Sequence, residues 1–280
     1  MILNPFLYSA PDTMQEAISL LSVNGSELFT GDQAHVGSAK RGTIKPTSII
    51  SLRKVPGLKS IIQNGSKLEI GSAVTFGSLL SNSAVDSVTV LTDALKAIKD
   101  PHLRNHSNIG GAFYLNAPAH APVLAAFLAL NALVNITGPE GNRQILMDDY
   151  FKNKATAELT KGEILQSITL DIDSEAQGSF HFIDYLKSGK VVSGVAVVLN
   201  QQQNQLSDIR IAVSGCVEIP TRLTTLEEAL KGKEINKENV DEALKVLDLD
   251  GLIISGMFIS NPSYLLHLTK VLIRRAVLKS

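Results

Sequence analysis

Apolar positions at Met14, Ala17, Ile18 and Leu21 recur at helical spacing. Asp12 stands ready as an N-cap, Gln15 closes a capping box, and Asn24-Gly25 ends the pattern. A short strand, Leu28–Thr30, runs straight into a glycine, and a second apolar strand covers Ser48–Leu52. This first stretch reads as a small α/β unit. In the next, Lys67–Ile70 alternates as a strand, and helical patterns cover Thr75–Leu80 and Val88–Ile98. A long loop is expected from Asp100 to Ala119, followed by a buried helix over Pro122–Asn131. Leu133–Ile136 and Glu163–Ile172 read as strands, with a turn at Gly138, Pro139 and Gly141 between them. The small polar run Asp173–Gly178 reads as a linker.

Beyond it the pattern changes. Long strands are expected at Ser179–Leu186, Val191–Leu199 and Ile209–Val217, with a hairpin turn in Gln201–Gln205. Helices follow at Thr225–Leu230, Lys237–Leu247 and Pro262–Leu278. The fold class is therefore α/β plus α+β: two small α/β segments, 1–54 and 55–174, then an antiparallel sheet with helices over 175–280.

Composition narrows the function. The 280 residues carry 26 Lys+Arg against 27 Asp+Glu, so the broad basic field of a nucleic-acid binder is missing. The longest apolar stretch, Val123–Leu130, falls far short of the roughly 20 residues of a membrane span. The amino-terminal run has no basic residue ahead of its apolar ones and does not read as a signal peptide. A soluble, cytoplasmic protein is expected. The single cysteine, Cys216, excludes an intrachain disulfide and a Cys-ligated iron–sulfur cluster within this chain, and it reads as an inert core thiol. The six histidines have no acid or cysteine completing a ligand set, so no metal site is expected. Arg274-Arg275 reads as a solvated helix face or a contact to a partner subunit.

Two glycine runs stand out, Thr30-Gly31-Asp32-Gln33-Ala34 and Asn108-Ile109-Gly110-Gly111-Ala112. Each reads either as a plain turn or as a nest of backbone N–H groups for an anion such as pyrophosphate. Neither fits a dinucleotide or Walker fingerprint.

Seven stretches in register resemble one family, the FAD-binding medium subunits of molybdenum hydroxylases, which include carbon monoxide dehydrogenase flavoproteins and the flavin domain of xanthine dehydrogenase. They are Pro46–Leu58, Leu68–Thr75, Leu103–Gly111, Leu128–Ala132, Lys161–Leu165, Ile209–Arg222 and Leu272–Ala276. Leu103–Gly111, similar to the family's I-R-N-x-G-T-I-G-G, is the most specific. The resemblance implies two PCMH-type FAD-binding subdomains and a C-terminal flavoprotein domain. It implies FAD held by Thr30, Gly31, Asp32, Gln33 and Ala34, by Asn108, Ile109, Gly110, Gly111 and Ala112, and by Asn116, His120 and Leu165. It further implies an oxidoreductase subunit that takes electrons from an iron–sulfur small subunit, itself fed by a molybdopterin large subunit, in a hetero-oligomer.

The chain departs from the family pattern at the flavin motifs. Gly31 stands alone where the family has two glycines, Asp32 follows it, and the N-A-x-P-x-x-D run lacks its aspartate, near His120. A second reading follows from these departures: a chain that keeps the fold, binds FAD weakly and serves as a structural or assembly subunit. A generic nucleotide-binding oxidoreductase is the third.

Overall fold

The computed structural model describes residues 5–29, 42, 45–115, 119–152, 159–185, 190–247 and 261–279. The first half runs β1 (Leu7–Ser9), α1 (Met14–Leu21), β2 (Ser26–Phe29), β3 (Ser48–Ser51), β4 (Ile61–Asn64), β5 (Lys67–Gly71), α2 (Phe76–Leu80), α3 (Thr89–Ala97), α4 (Pro101–His106), α5 (Ile109–Leu115) and α6 (Ala121–Ala129). The second half runs β6 (Leu133–Gly138), β7 (Gly141–Leu146), α7 (Met147–Lys152), β8 (Ile164–Asp171), β9 (Gln177–Asp184), β10 (Val191–Gln202), β11 (Gln205–Ser214), β12 (Thr221–Arg222), α8 (Thr224–Leu230), α9 (Lys237–Ala243) and α10 (Pro262–Lys279). The chain divides into two compact units, one of residues 1–84, 101–117 and 133–170, the other of 85–100, 118–132 and 171–280. Helices α3 and α6 lie mid-chain yet group with the C-terminal strands.

In the first unit, β1 and β2 flank β3 in a parallel sheet, with Leu28 opposite Ile50. Helix α1 turns Ala17 and Ile18 onto it, and both pack with Leu28, Ile50, Leu52, Leu58 and Ile164. The helix is capped one residue later than expected: the Thr13 hydroxyl accepts the Glu16 N–H, and the Glu16 carboxylate accepts the Asp12 N–H. A threonine hydroxyl in extended backbone reaches the third helical N–H, which makes Thr13 rather than Asp12 the cap.

The unit's second sheet has the order β4-β5-β8-β6-β7. Strand β6 alternates, burying Val134 and Ile136 and turning Asn135 outward. On the outer face the Asn135 amide donates to Ser167 at 2.8 Å and Thr169 at 2.9 Å, and Ser167 donates to Glu69 at 2.6 Å. Between Asn135 and Ile136 the pairing with β8 slips, so that Gln166 is the extra residue of a bulge.

The expected loop 100–119 is a correction: it contains α4 and α5, and only the residues around Asn108 connect them. The linker 173–178 is also shorter than expected, because β9 begins at Gln177. The Asp173 carboxylate accepts the Glu175 N–H and the Asn200 amide, which holds this stretch as a turn. Strands β4 and β7 were not anticipated from the pattern.

The second unit carries the antiparallel sheet β12-β11-β10-β9. Strand β10 is buried continuously from Val191 to Leu199, so both of its faces are covered. Val195, Val197 and Leu199 join the core formed with α8, α9 and α10. Helix α6, buried at all nine positions, packs against β10 and β11. The hairpin turn is at Gln203-Asn204, both with positive φ, as the expected Gln201–Gln205 turn requires.

Candidate functional site

Strand β5 ends at Gly71, and the chain then makes a short run, 72–75, into α2, whose cap is the Thr75 hydroxyl. Residues 107–110 lie along this run. The Phe76 N–H donates to the Ser107 carbonyl at 3.0 Å, Ile109 N–H to Val74 at 3.2 Å, and Gly110 N–H to Ser72 at 2.7 Å. The Gly111 N–H donates to the Asn108 side-chain oxygen at 2.8 Å and the Ala112 N–H to the Asn108 carbonyl at 3.0 Å. Asn108 thus caps α5, and Gly110-Gly111 form its first turn rather than an open loop. The N–H groups of residues 109–112 are all engaged within the chain.

Ser72 sits where these strands meet. Its N–H donates to the Gln166 carbonyl at 3.0 Å, so the β8 bulge that follows Leu165 is stitched to the acceptor of Gly110. The Ser72 hydroxyl is wholly buried and has no hydrogen-bond partner among the described residues. Leu165 itself is buried and pairs with Ile136.

A second cluster stands at the start of β8. Thr160–Glu163 is a tight turn in which the Glu163 N–H donates to the Thr160 carbonyl at 2.9 Å, and Gly162 has φ +88°. That positive φ at the third position is the type II arrangement, which calls for glycine. Arg143 of β7 grips the Glu163 carboxylate with Nε at 2.7 Å and Nη2 at 2.9 Å, and the Thr160 N–H donates to the same carboxylate at 2.7 Å. The paired guanidinium holds the Glu163 carboxyl below its ordinary range. Gly138 leaves room for the Glu163 side chain: a Cβ there would come within 2.6 Å of Glu163 Cγ. The Tyr114 hydroxyl of α5 donates to the Glu163 carbonyl at 3.4 Å, and burial pushes its pKa up, so it stays protonated. Phe113 of α5 packs on Tyr150 and Phe151, with ring centroids 5.5 and 6.0 Å apart.

Of the residues expected to hold a cofactor, Asn108, Ile109, Gly110, Gly111 and Ala112 form one turn, and Leu165 lies on the strand stitched to it. His120 is buried at the start of α6, in the second unit. Thr30, Gly31, Asp32, Gln33, Ala34 and Asn116 lie outside the described residues. Sequence reasoning missed Ser72, Tyr114, Arg143 and Glu163 as parts of this neighbourhood. Glu163 lay inside a motif quoted for its resemblance, and Tyr114 follows the glycine run at helical spacing from Gly110 and Gly111.

Cys216 lies in the core of the second unit, 3.5 Å from the Thr269 hydroxyl and 3.8 Å from that of Ser193. Burial pushes its thiol up, so it carries no thiolate to offer a ligand. Arg274 pairs with Asp241 at 2.5 Å. Among the described residues no helix is long and apolar enough to cross a membrane.

The FAD binding domain in molybdopterin dehydrogenase matches residues 4–170, and the CO dehydrogenase flavoprotein C-terminal domain matches residues 191–280. The chain belongs to this family of FAD-binding oxidoreductase chains. It is 30% identical over 245 residues to the carbon monoxide dehydrogenase medium chain of Hydrogenophaga pseudoflava, covering 85% of this chain and 84% of that one. It is 29% identical over 240 residues to the nicotine 6-hydroxylase medium subunit of Paenarthrobacter nicotinovorans, covering 84% and 83%. Among solved structures, carbon monoxide dehydrogenase from Hydrogenophaga pseudoflava lacking the Mo-pyranopterin moiety of its cofactor superposes with a TM-score of 0.91 at 25% identity, over 99% of this chain and 97% of that one.

Proposed function

We propose that this chain is the FAD-bearing, electron-transferring subunit of a molybdenum hydroxylase complex. The match of residues 4–170 to an FAD binding domain carries the reading. Two features of the site support it. The glycine turn 110–111 is buried and bonded to the 72–75 run, and the buried Ser72 hydroxyl there has a hydrogen bond to give. The residues proposed to hold the cofactor are Thr30–Ala34, Asn108–Ala112, Asn116, His120 and Leu165, with Ser72 added from the structure. Segments 1–54 and 55–174 act as the two FAD subdomains.

Bound FAD supplies a redox centre that exchanges electrons with both one-electron and two-electron carriers. The chain's part is to bind it, orient it and keep water from it. Its single thiol is buried and protonated, so iron–sulfur and molybdopterin centres are assigned to separate small and large subunits of a hetero-oligomer. Two relatives named as medium chain and medium subunit fit that division.

The test is the visible spectrum and the FAD titration of the purified full chain. Bands near roughly 370 and 450 nm, as for oxidised flavin in a protein site, are expected. Gly111→Val, at a buried position in the turn, is expected to abolish flavin retention. A colourless wild-type chain that takes up no added FAD refutes the reading; a valine variant with full flavin content refutes the assignment of the turn.

A further inference from the structure

We propose that the outer face of the five-stranded sheet, centred on Glu69, is a docking groove for an extended segment of a partner subunit, which lays a lysine or arginine side chain on the Glu69 carboxylate. The inference rests on the hetero-oligomer part of the functional reading above. It adds a surface made of residues other than those proposed to hold FAD.

The geometry that carries it is a hydrogen-bond relay that crosses the neighbouring strands β7, β6, β8 and β5 in one direction. Gln144 of β7 donates its amide to the Asn135 side-chain oxygen at 2.8 Å, and Asn135 of β6 donates to the Ser167 hydroxyl at 2.8 Å. Ser167 of β8 then donates to the Glu69 carboxylate of β5 at 2.6 Å. Ser167 is 3% exposed, so the last donor is buried, while Glu69 itself is exposed. The relay therefore orients the carboxylate without neutralising it. Among the described residues Ser167 gives Glu69 its one hydrogen bond, and no lysine, arginine or histidine pairs with it. The groups left over at the two ends, the second Glu69 oxygen and the Gln144 side-chain carbonyl, are both acceptors, so the face calls for a donor.

The groove has the length and the rim of a peptide site. Hollows of about 510 and 410 Å³ share Glu69, Gln166 and Ser167, and together they run from Met14 and Pro56 to Asn142 and Gln144. Five strands at a spacing of about 4.8 Å span about 19 Å, the length of about six extended residues and more than a small amine fills. Ile62, the cross-strand partner of Glu69, is 45% exposed and forms an apolar rim with Pro56 and Met14. A chain that covers Ile62 takes Glu69 out of water as well, and an unpaired carboxylate under it opposes binding more than the apolar contact favours it. A basic side chain satisfies both, with its aliphatic stem along Ile62 and its charge on Glu69.

The experiment uses the full chain and the separately purified iron–sulfur and molybdopterin chains of its complex, with association read by calorimetry at about 50 and about 300 mM salt. Glu69→Gln removes the charge and keeps an oxygen for the Ser167 proton. It is expected to weaken association with one of the two chains about tenfold or more at the lower salt, and by less at the higher. Ile62→Ser is expected to weaken the same association about threefold or more, through the lost rim. Glu140→Gln, at an exposed carboxylate in the β6–β7 turn, is the control and is expected to stay within about twofold. If both groove variants associate as wild type does, the inference is wrong. It is also wrong if spermidine binds wild type but not Glu69→Gln while association ignores the substitution, which makes the groove a site for a small cation. Should Glu69→Gln fail to fold, Ile62→Ser alone decides, since that side chain is exposed and its loss leaves the core intact. A wild-type chain that associates with neither partner overturns the hetero-oligomer reading, and this inference with it; association of wild type matched by the groove variants overturns only the inference.

Discussion

Arg222 shows how a motif residue earns its place through structure. Its guanidinium pairs with Glu227 at 3.0 Å and 2.6 Å, and the same carboxylate accepts the Ile211 N–H at 2.7 Å. A third bond, at 3.4 Å, goes to Asn131, which holds a positive φ at the exit of α6. Both charged side chains are nearly buried, at 14% and 9% exposure. The pair ties β12 to α8 and to the end of α6. Removing one partner of a buried pair leaves an uncompensated charge, which costs about 3–5 kcal/mol. Arg222→Met is therefore expected to lower unfolding free energy by about 3 kcal/mol in urea. A double variant with Glu227→Leu is expected to recover a good part of that loss, since it removes the stranded carboxylate. If the single variant costs less than about 1 kcal/mol, the pair is solvent-screened and of little consequence.

Helix α5 depends on its cap. It has seven residues and opens Ile-Gly-Gly, and each glycine disfavours helix by about 1 kcal/mol relative to alanine. Local propensity therefore points to a loop, which is how residues 100–119 read from sequence. What overrides it is tertiary: Ile109 and Gly110 donate to carbonyls of the 72–74 run, and Asn108 takes the next two N–H groups. Such bonds leave no periodic signature. Strand β7, Gly-Asn-Arg-Gln-Ile-Leu, escaped for a similar reason, because a mostly exposed edge strand has no apolar alternation to betray it. Strand β10 and helix α6 were legible because burial on every side forces an apolar run. At the site, the glycine run was legible as a run, but Glu163 and Tyr114 were not, since their role lies in contacts 20 and 49 residues away along the chain. Asn108→Ala is expected to cost about 1 kcal/mol of stability, and Asn108→Ser to restore most of it, because a serine hydroxyl fills the same cap. Chemical denaturation of the three chains checks this; equal loss from serine and alanine means that the side chain acts otherwise than as a cap.

For the molecule as a whole, acid separates the two units, because each holds a titrating group of a different kind. In the first, Glu163 is held below its ordinary range chiefly by the Arg143 hydrogen bonds. A carboxyl depressed by folding stabilises above its unfolded value and loses that contribution as pH falls through the folded one. Its window lies below about pH 4.5. In the second unit, His181 of β9 is held below 6.5, first by burial and then by Lys279 and Arg275, with Asp93 opposing them. The unfolded chain takes up this proton more readily than the folded one. Stability is therefore complete above about pH 6.5 and falls as pH drops through the folded value. The second unit is expected to weaken first, in mildly acidic solution where the Arg143–Glu163 pair is still intact. Urea midpoints followed by far-ultraviolet circular dichroism at about pH 7.5 and about pH 5.5 test the order. Wild-type chain should lose stability between the two, and His181→Gln, which has no proton to take up there, should lose clearly less. Glu163→Gln should be less stable than wild type at both pH values yet lose the same amount between them, and the gap should close only at lower pH, where wild type loses the pair. An equal loss in wild type and His181→Gln assigns the mildly acidic window to some other group and removes His181 from the account.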